Sequence, residues 1–205
     1  MRGRFIVIGL TGSIAMGKST AGHLLKMLGV PVFDADAAVH HLMKPGGEIC
    51  KLIEERFPGV TNRQGVDRQK LGNIVFSDPN ALKDLEYIIH PRTRSLREMF
   101  LLKAAFQRRP IVALDIPLLF ESNSEQMCDV SLVVSAPKFL QKQRAMARPG
   151  MNEKRFKGIL ERQMPDAEKR RRADHVVYSG LGKRETLRGL VKVLKVLKRS
   201  RRRHV

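Results

Sequence analysis

A six-residue apolar run, Phe5 to Leu10, breaks into Thr11-Gly12-Ser13-Ile14-Ala15-Met16-Gly17-Lys18-Ser19-Thr20, which matches the phosphate-cradling pattern G-x-x-x-x-G-K-[ST]. Gly12 and Gly17 let the backbone turn tightly and approach an anion, so that successive amide N–H groups and the start of the next helix point at phosphate oxygens. Lys18 then reaches the β and γ phosphates, and Ser19 is placed to put its hydroxyl on a magnesium ion that the phosphates also hold. The pattern gains weight from its flanks, an apolar strand before it and the helical spacing Ala21, Leu24, Leu25, Leu28 after it. We therefore expect Gly12, Ser13, Ile14, Ala15, Met16, Gly17, Lys18, Ser19 and Thr20 to bind a nucleoside triphosphate with Mg2+. A helix cap with a surface lysine leaves the second glycine unexplained, and the apolar run after Arg2 and Arg4 is shorter than the roughly 7 to 15 residues of a secretory h-region.

Phosphoryl transfer also needs a group to orient or deprotonate the attacker and cations for developing charge. Asp34-Ala35-Asp36 ends the second apolar run, putting two carboxylates near the loop. Asp36 is read as the base and Asp34 as its organiser, with capping of the segment Ala35 to Leu42 as the competing use. Asp115, at the end of the third run, either holds the magnesium through a water or caps the turn at Pro117. His40 and His41 have neither metal spacing nor a carboxylate partner in register, and His90 precedes Pro91 at a helix boundary.

The elements that must position these groups follow from periodicity. Apolar, β-branched runs at Phe5 to Leu10, Val30 to Phe33, Ile111 to Ile116, Val130 to Val134 and His175 to Tyr178 alternate with helical patterns. This predicts an α/β fold in which a five-stranded parallel sheet lies between helical layers, with ligands at the carboxyl ends of the strands. The core is expected at 1–36 and 110–205. Residues 37–109 form a helical insertion, with patterns at Leu71 to Phe76, Ala81 to Ile89 and Thr93 to Phe106 broken by Gly65, Pro79 and Pro91 and no strand of its own. A smaller excursion at about 137–163, carrying Arg144, Arg148, Lys154, Arg155 and Arg162, is expected to act as a lid.

The formal charge is +19, and residues 183–205 hold ten Lys or Arg against Glu185 alone, leaving +10 on the remainder. Part of that suits polyphosphate substrates. The tail at 198–205 could bind nucleic acid by counterion release, but no aromatic residues interleave with its charges, so a frayed, solvated end is the preferred reading. Leu187, Leu190, Val191, Leu194 and Leu197 make one apolar stripe, expected to pack on the body. No stretch approaches the roughly 18 apolar residues of a membrane span, which makes the cytoplasm the default location. Cys50 and Cys128 lie far apart and are expected as unpaired buried thiols. Oligomeric state cannot be read from the pattern.

From Phe5 to Gly180 the chain resembles dephospho-coenzyme A kinases, a P-loop kinase family. The resemblance rests on GLTGSIAMGKST at 9–20, VFDAD at 32–36, GVDRQKLGNIVF at 65–76, LEYIIHP at 85–91, IPLLFE at 116–121, QKQRAMAR at 141–148, ILERQM at 159–164 and ADHVV at 173–177. The D-A-D, H-P and P-L-L-F-E segments separate this family from adenylate, thymidylate and shikimate kinases. The resemblance implies transfer of the ATP γ-phosphoryl group to the ribose 3′-hydroxyl of dephospho-coenzyme A, in a P-loop NTPase fold of core, helical acceptor domain and lid. It further implies Asp36 as catalytic carboxylate and Arg68, His90 and the Pro117-Leu118 to Glu121 segment on the acceptor. Arg144 and Arg148 then contact ATP phosphates. Other nucleoside or nucleotide kinases of the same fold, and a nucleic-acid-binding NTPase, are the rival readings. Two positions depart from the family: Ala15 stands where glycine is usual, tolerable if its φ is negative, and Tyr178-Ser179-Gly180 replaces an Asp-Asn-Gly-like ending.

Overall fold

A computed structural model describes residues 5–203; Arg2, Arg4 and the last two residues of the basic tail lie outside the described residues. The chain divides into two compact units, one of residues 1–32 and 104–205 and one of residues 33–103. The first division falls inside a strand rather than at 36/37 as expected, so Asp34 and Asp36 go with the helical unit.

The first unit is built on the strands β1 (Ile6–Thr11), β2 (Val32–Asp34, which crosses the division), β5 (Ile111–Asp115), β6 (Val130–Ser135) and β7 (His175–Tyr178). They form one sheet in the order β2-β5-β1-β6-β7, with β1 parallel to β5, β1 parallel to β6 and β6 parallel to β7. Alternation sends Ile8, Leu10, Leu132 and Val134 to one face, where Leu24 and Leu25 of α1 (Lys18–Met27) and Leu190, Leu194 and Leu197 of α9 (Lys183–Arg203) cover them. Val133 faces the other way, onto Leu119 and Phe120. Burial on both faces explains why these strands read as unbroken apolar runs. Gly9 permits that packing, since a Cβ there would meet Cys128 Sγ at 2.8 Å and Leu119 Cδ2 at 3.0 Å.

Helix α1 stops where Gly29, at φ 79°, takes the left-handed turn and the amides of Leu28, Gly29 and Val30 return to carbonyls of the last turn. The basic tail differs from expectation: α9 stays helical through Arg203. No glycine or proline follows Leu197 to stop it, and its buried stripe holds the helix on the sheet. The region expected as a lid forms α6 (Lys138–Met146) and α7 (Glu153–Glu161), followed by α8 (Asp166–Arg172).

The second unit contains α2 (Ala35–Leu42), α3 (Glu48–Arg56), α4 (Arg68–Val75) and most of α5 (Pro79–Phe106). Its core gathers Leu42, Ile49, Ile53, Phe57, Leu71, Val75, Ala81 and Leu85. Two expectations are corrected here. The insertion does carry strands, β3 (Thr61–Asn62) and β4 (Gly65–Val66), paired antiparallel. The Asn62 side chain accepts from Gln64 N at 2.7 Å across the turn, while the Glu54 carboxylate takes the Gly59 and Thr61 amides and the Thr61 hydroxyl. Those bonds, the Gly59 amide first, hold Glu54 below the usual carboxylate range. Nor does Pro91 break the helix, because Ala81, Leu85, Ile88, Ile89 and Leu96 pack on one cluster on both sides of it and outweigh the missing hydrogen bond. Pro79 instead occupies the first turn, where proline is tolerated, behind Asp78, which accepts from Asn80 N at 2.8 Å.

Candidate active site

In the first unit the loop Gly12–Gly17 joins β1 to α1, and its shape follows from what each residue touches. A Cβ on Gly12 would lie 2.6 Å from the Val134 carbonyl oxygen, and one on Gly17 would meet Ser179 Oγ at 2.7 Å; Gly17 also has φ 93°. Both positions exclude a side chain, and Gly17 also requires the left-handed backbone. Ala15 is left-handed too, at φ 61°, so the negative torsion that would have made it harmless is not found. Its buried methyl packs with Ala145 of α6 and Phe156 of α7, which offsets the conformational cost. Helix α1 opens without a side-chain cap and with no acidic residue in its first turn, so its positive end is available to an anion.

The register Leu10↔Asp115 sets the end of β5 beside the start of the loop. Lys18 Nζ and Asp115 Oδ1 are 2.5 Å apart, with the Lys18 side chain 17% exposed and that of Asp115 6%. Ser19 lies on the first helical turn and is exposed. The Thr11 hydroxyl donates to the Pro117 carbonyl at 2.9 Å, fixing the turn after β5 against the loop. Leu118 is exposed on that turn.

Arg144 donates from Nη1 to Ser179 Oγ at 3.0 Å and from Nη2 to the Ser179 carbonyl at 2.9 Å. Ser179 Oγ in turn donates to the Met16 carbonyl at 2.7 Å. The Tyr178-Ser179-Gly180 segment thus braces the phosphate loop and seats the arginine, a role that sequence reading missed. Arg148 is exposed beyond the end of α6. Glu121 accepts from the Met164 amide at 2.8 Å and pairs with Lys169, whose ammonium lies 2.9 Å away and is fully buried.

The remaining expected residues are in the second unit. Asp34 caps α2, accepting from Ala37 N at 2.9 Å, and Asp36 stands exposed in its first turn. Phe33, directly before them, packs its ring against Phe100 of α5 with centroids 5.6 Å apart, which orients the start of α2. Arg68 opens α4 behind its cap Asp67, and His90 is exposed on α5. Neither cysteine is in a disulfide, both are half-buried rather than fully buried, and the Cys50 thiol donates to the Lys44 carbonyl at 2.9 Å.

Among the described residues no group of three or more His, Cys, Asp or Glu could hold a metal, and no helix is long and apolar enough to cross a membrane. The possible donors for a divalent ion near the loop are Ser19 and Asp115, both oxygen ligands. That sparse, hard set suits Mg2+ when nucleotide phosphates supply the other oxygens.

The family model described as dephospho-CoA kinase (CoaE) matches residues 6–182. A dephospho-CoA kinase of Novosphingobium aromaticivorans is 51% identical over 183 residues, covering 89% of this chain and 90% of that protein. One of Agrobacterium fabrum is 51% identical over 177 residues, covering 86% and 90%. Among solved structures, TT1252 from Thermus thermophilus superposes with a TM-score of 0.84 at 36% identity over 94% of this chain and 97% of that one. Dephospho-CoA kinase from Campylobacter jejuni does so with 0.62 at 25% identity, over 95% and 98%.

Proposed function

The chain belongs to the dephospho-CoA kinase family, and from that premise we propose that it uses magnesium-ATP to phosphorylate the ribose 3′-hydroxyl of dephospho-coenzyme A, giving coenzyme A and ADP. The observation that carries the ATP half is the contact of Lys18 with Asp115 beside an uncapped helix terminus. Lys18 already sits against an anion at the place where phosphates would lie, so nucleotide binding exchanges one negative partner for another. Gly12 to Thr20 supply the amides of the cradle, and Arg144, held by Ser179 beside Gly17, adds a fixed positive charge. Ser19 and Asp115 would hold Mg2+, which neutralises charge on the β and γ phosphates when bound.

Asp36 takes the proton of the ribose 3′-hydroxyl as its oxygen bonds to the γ-phosphorus and the bond to ADP breaks. Its exposure at the head of α2 leaves the carboxylate open to an incoming alcohol, whereas Asp34 is engaged as the cap that aims that helix. Arg68, His90, Pro117 and Leu118 are assigned to the acceptor by family likeness. Glu121 is assigned there too, though its carboxylate already answers Lys169 and Met164. The test is direct: purified protein is incubated with magnesium-ATP and dephospho-coenzyme A alongside a panel of other nucleosides and nucleotides. Coenzyme A formation with preference for that acceptor is expected, and a folded protein that forms none overturns the proposal.

A further inference from the structure

Two glutamines grip a single residue of the phosphate loop, Ile14, through the two peptide groups that flank it. Gln163 Oε1 accepts from Ile14 N–H at 3.0 Å, and Gln141 Nε2 donates to the Ile14 carbonyl at 3.0 Å. Their partners fix which end of each amide is used, since a backbone N–H can only donate and a carbonyl only accept. Gln141 lies on α6 and is 5% exposed, while Gln163 follows α7, so the two come from opposite ends of the 138–163 region. Between these ends, Ala145 and Phe156 pack on the methyl of Ala15, the residue after Ile14.

The loop's remaining amides show what this grip achieves. Met16 N–H closes onto the Ser13 carbonyl at 3.1 Å, and Ile14 N–H goes to Gln163. The next peptide turns left-handed at Ala15, a conformation that an alanine holds only when its surroundings enforce it. With the peptide groups on both sides of Ile14 held by the glutamines and the Ala15 methyl packed on Ala145 and Phe156, the left-handed turn at Ala15 is braced from both ends. We propose that Gln141 and Gln163 are positioning residues for phosphate binding. They hold the cradle in its anion-accepting shape from the base of the α6–α7 region and touch neither nucleotide nor acceptor. This rests on the kinase reading for its activity assay but not for its binding assay.

The test separates donor from acceptor. In Gln163→Met and Gln141→Met, losing one bond to the loop lowers the population of the ready conformation, so ATP affinity, measured by calorimetry without acceptor, falls about tenfold. KM for ATP rises alike, while KM for dephospho-coenzyme A stays within about twofold. Hydrogen exchange at the Ile14 amide, read by NMR in the nucleotide-free protein, speeds up in Gln163→Met and stays slow in Gln163→Glu, because a carboxylate still accepts. Gln141→Glu cannot donate and weakens ATP at least as much as Gln141→Met. Folded methionine variants with wild-type ATP affinity overturn the inference, as does equal Ile14 exchange in Gln163→Met and Gln163→Glu. Coenzyme A formation by the wild type is a separate result, so failure of the kinase reading is not confused with failure of this one.

Discussion

Replacing Glu121 by Gln removes one charge and almost no volume, and it isolates the pair that Glu121 makes with Lys169. The Lys169 side chain is 0% exposed and Glu121 keeps 17%, with the two 2.9 Å apart. The Met164 amide still finds an acceptor in the glutamine oxygen, so the loss is that of the ammonium's counter-charge. Removing one partner of a buried pair costs about 3 to 5 kcal/mol, and the residual exposure of Glu121 argues for the lower end. The destabilisation is therefore about 3 kcal/mol, which urea denaturation of wild type and variant measures. The double variant Glu121→Gln with Lys169→Met is expected to recover most of the loss, since no unpaired charge is left buried. A loss below about 1 kcal/mol, or no recovery in the double variant, refutes the reasoning.

Asp36→Ala is expected to lower turnover by about a hundredfold or more with ATP affinity unchanged, on the scale of a lost general base; steady-state kinetics with calorimetry checks both. Asp34→Ala removes a helix cap and costs about 1 kcal/mol of stability by chemical denaturation. Burial pushes Asp174 upward, but the hydroxyl and amide of Ser131, at 2.6 and 2.8 Å, together with its own amide and His175 outweigh it, so its carboxyl sits below the ordinary range. Its contribution is present above about pH 3.9 and is lost as pH falls through the lowered value, so the roughly 1 kcal/mol penalty of Asp174→Asn shrinks in acid denaturant melts. Gly17→Ala places a methyl 2.7 Å from Ser179 Oγ at φ 93° and is expected to weaken ATP binding at least about tenfold, measured by calorimetry.

The parts of this protein that were legible in the sequence are those with a short-range signature. The phosphate loop, the apolar runs that become β1, β5, β6 and β7, and the stripe of α9 each repeat a local period that burial enforces. The hairpin at 61–66 was not, because strands of two residues leave no alternation to detect. Pro91 misled because the apolar face that carries α5 past it is a property of the packed unit. Within the site, Lys18 and Asp115 could be named from motif and strand end, whereas Ser179, Gln141 and Gln163 could not. Their partners on the loop stand 163, 127 and 149 positions away, and a side chain bonding a distant backbone group leaves no local pattern. Lys169 gave no hint of burial either, sitting directly before three arginines.

The strand order puts the two briefest members of the sheet at its rims, three residues in β2 and four in β7, while the longer apolar strands lie inside. Each rim offers few open backbone groups to a neighbouring molecule, and like-charged chains repel, so the finished protein resists edge-to-edge aggregation. A sheet lacking β2 and β7 would instead end at β5 and β6, whose wider apolar borders invite pairing with other chains. Refolding yield is therefore expected to rise on dilution and at low salt, where clumping is slower.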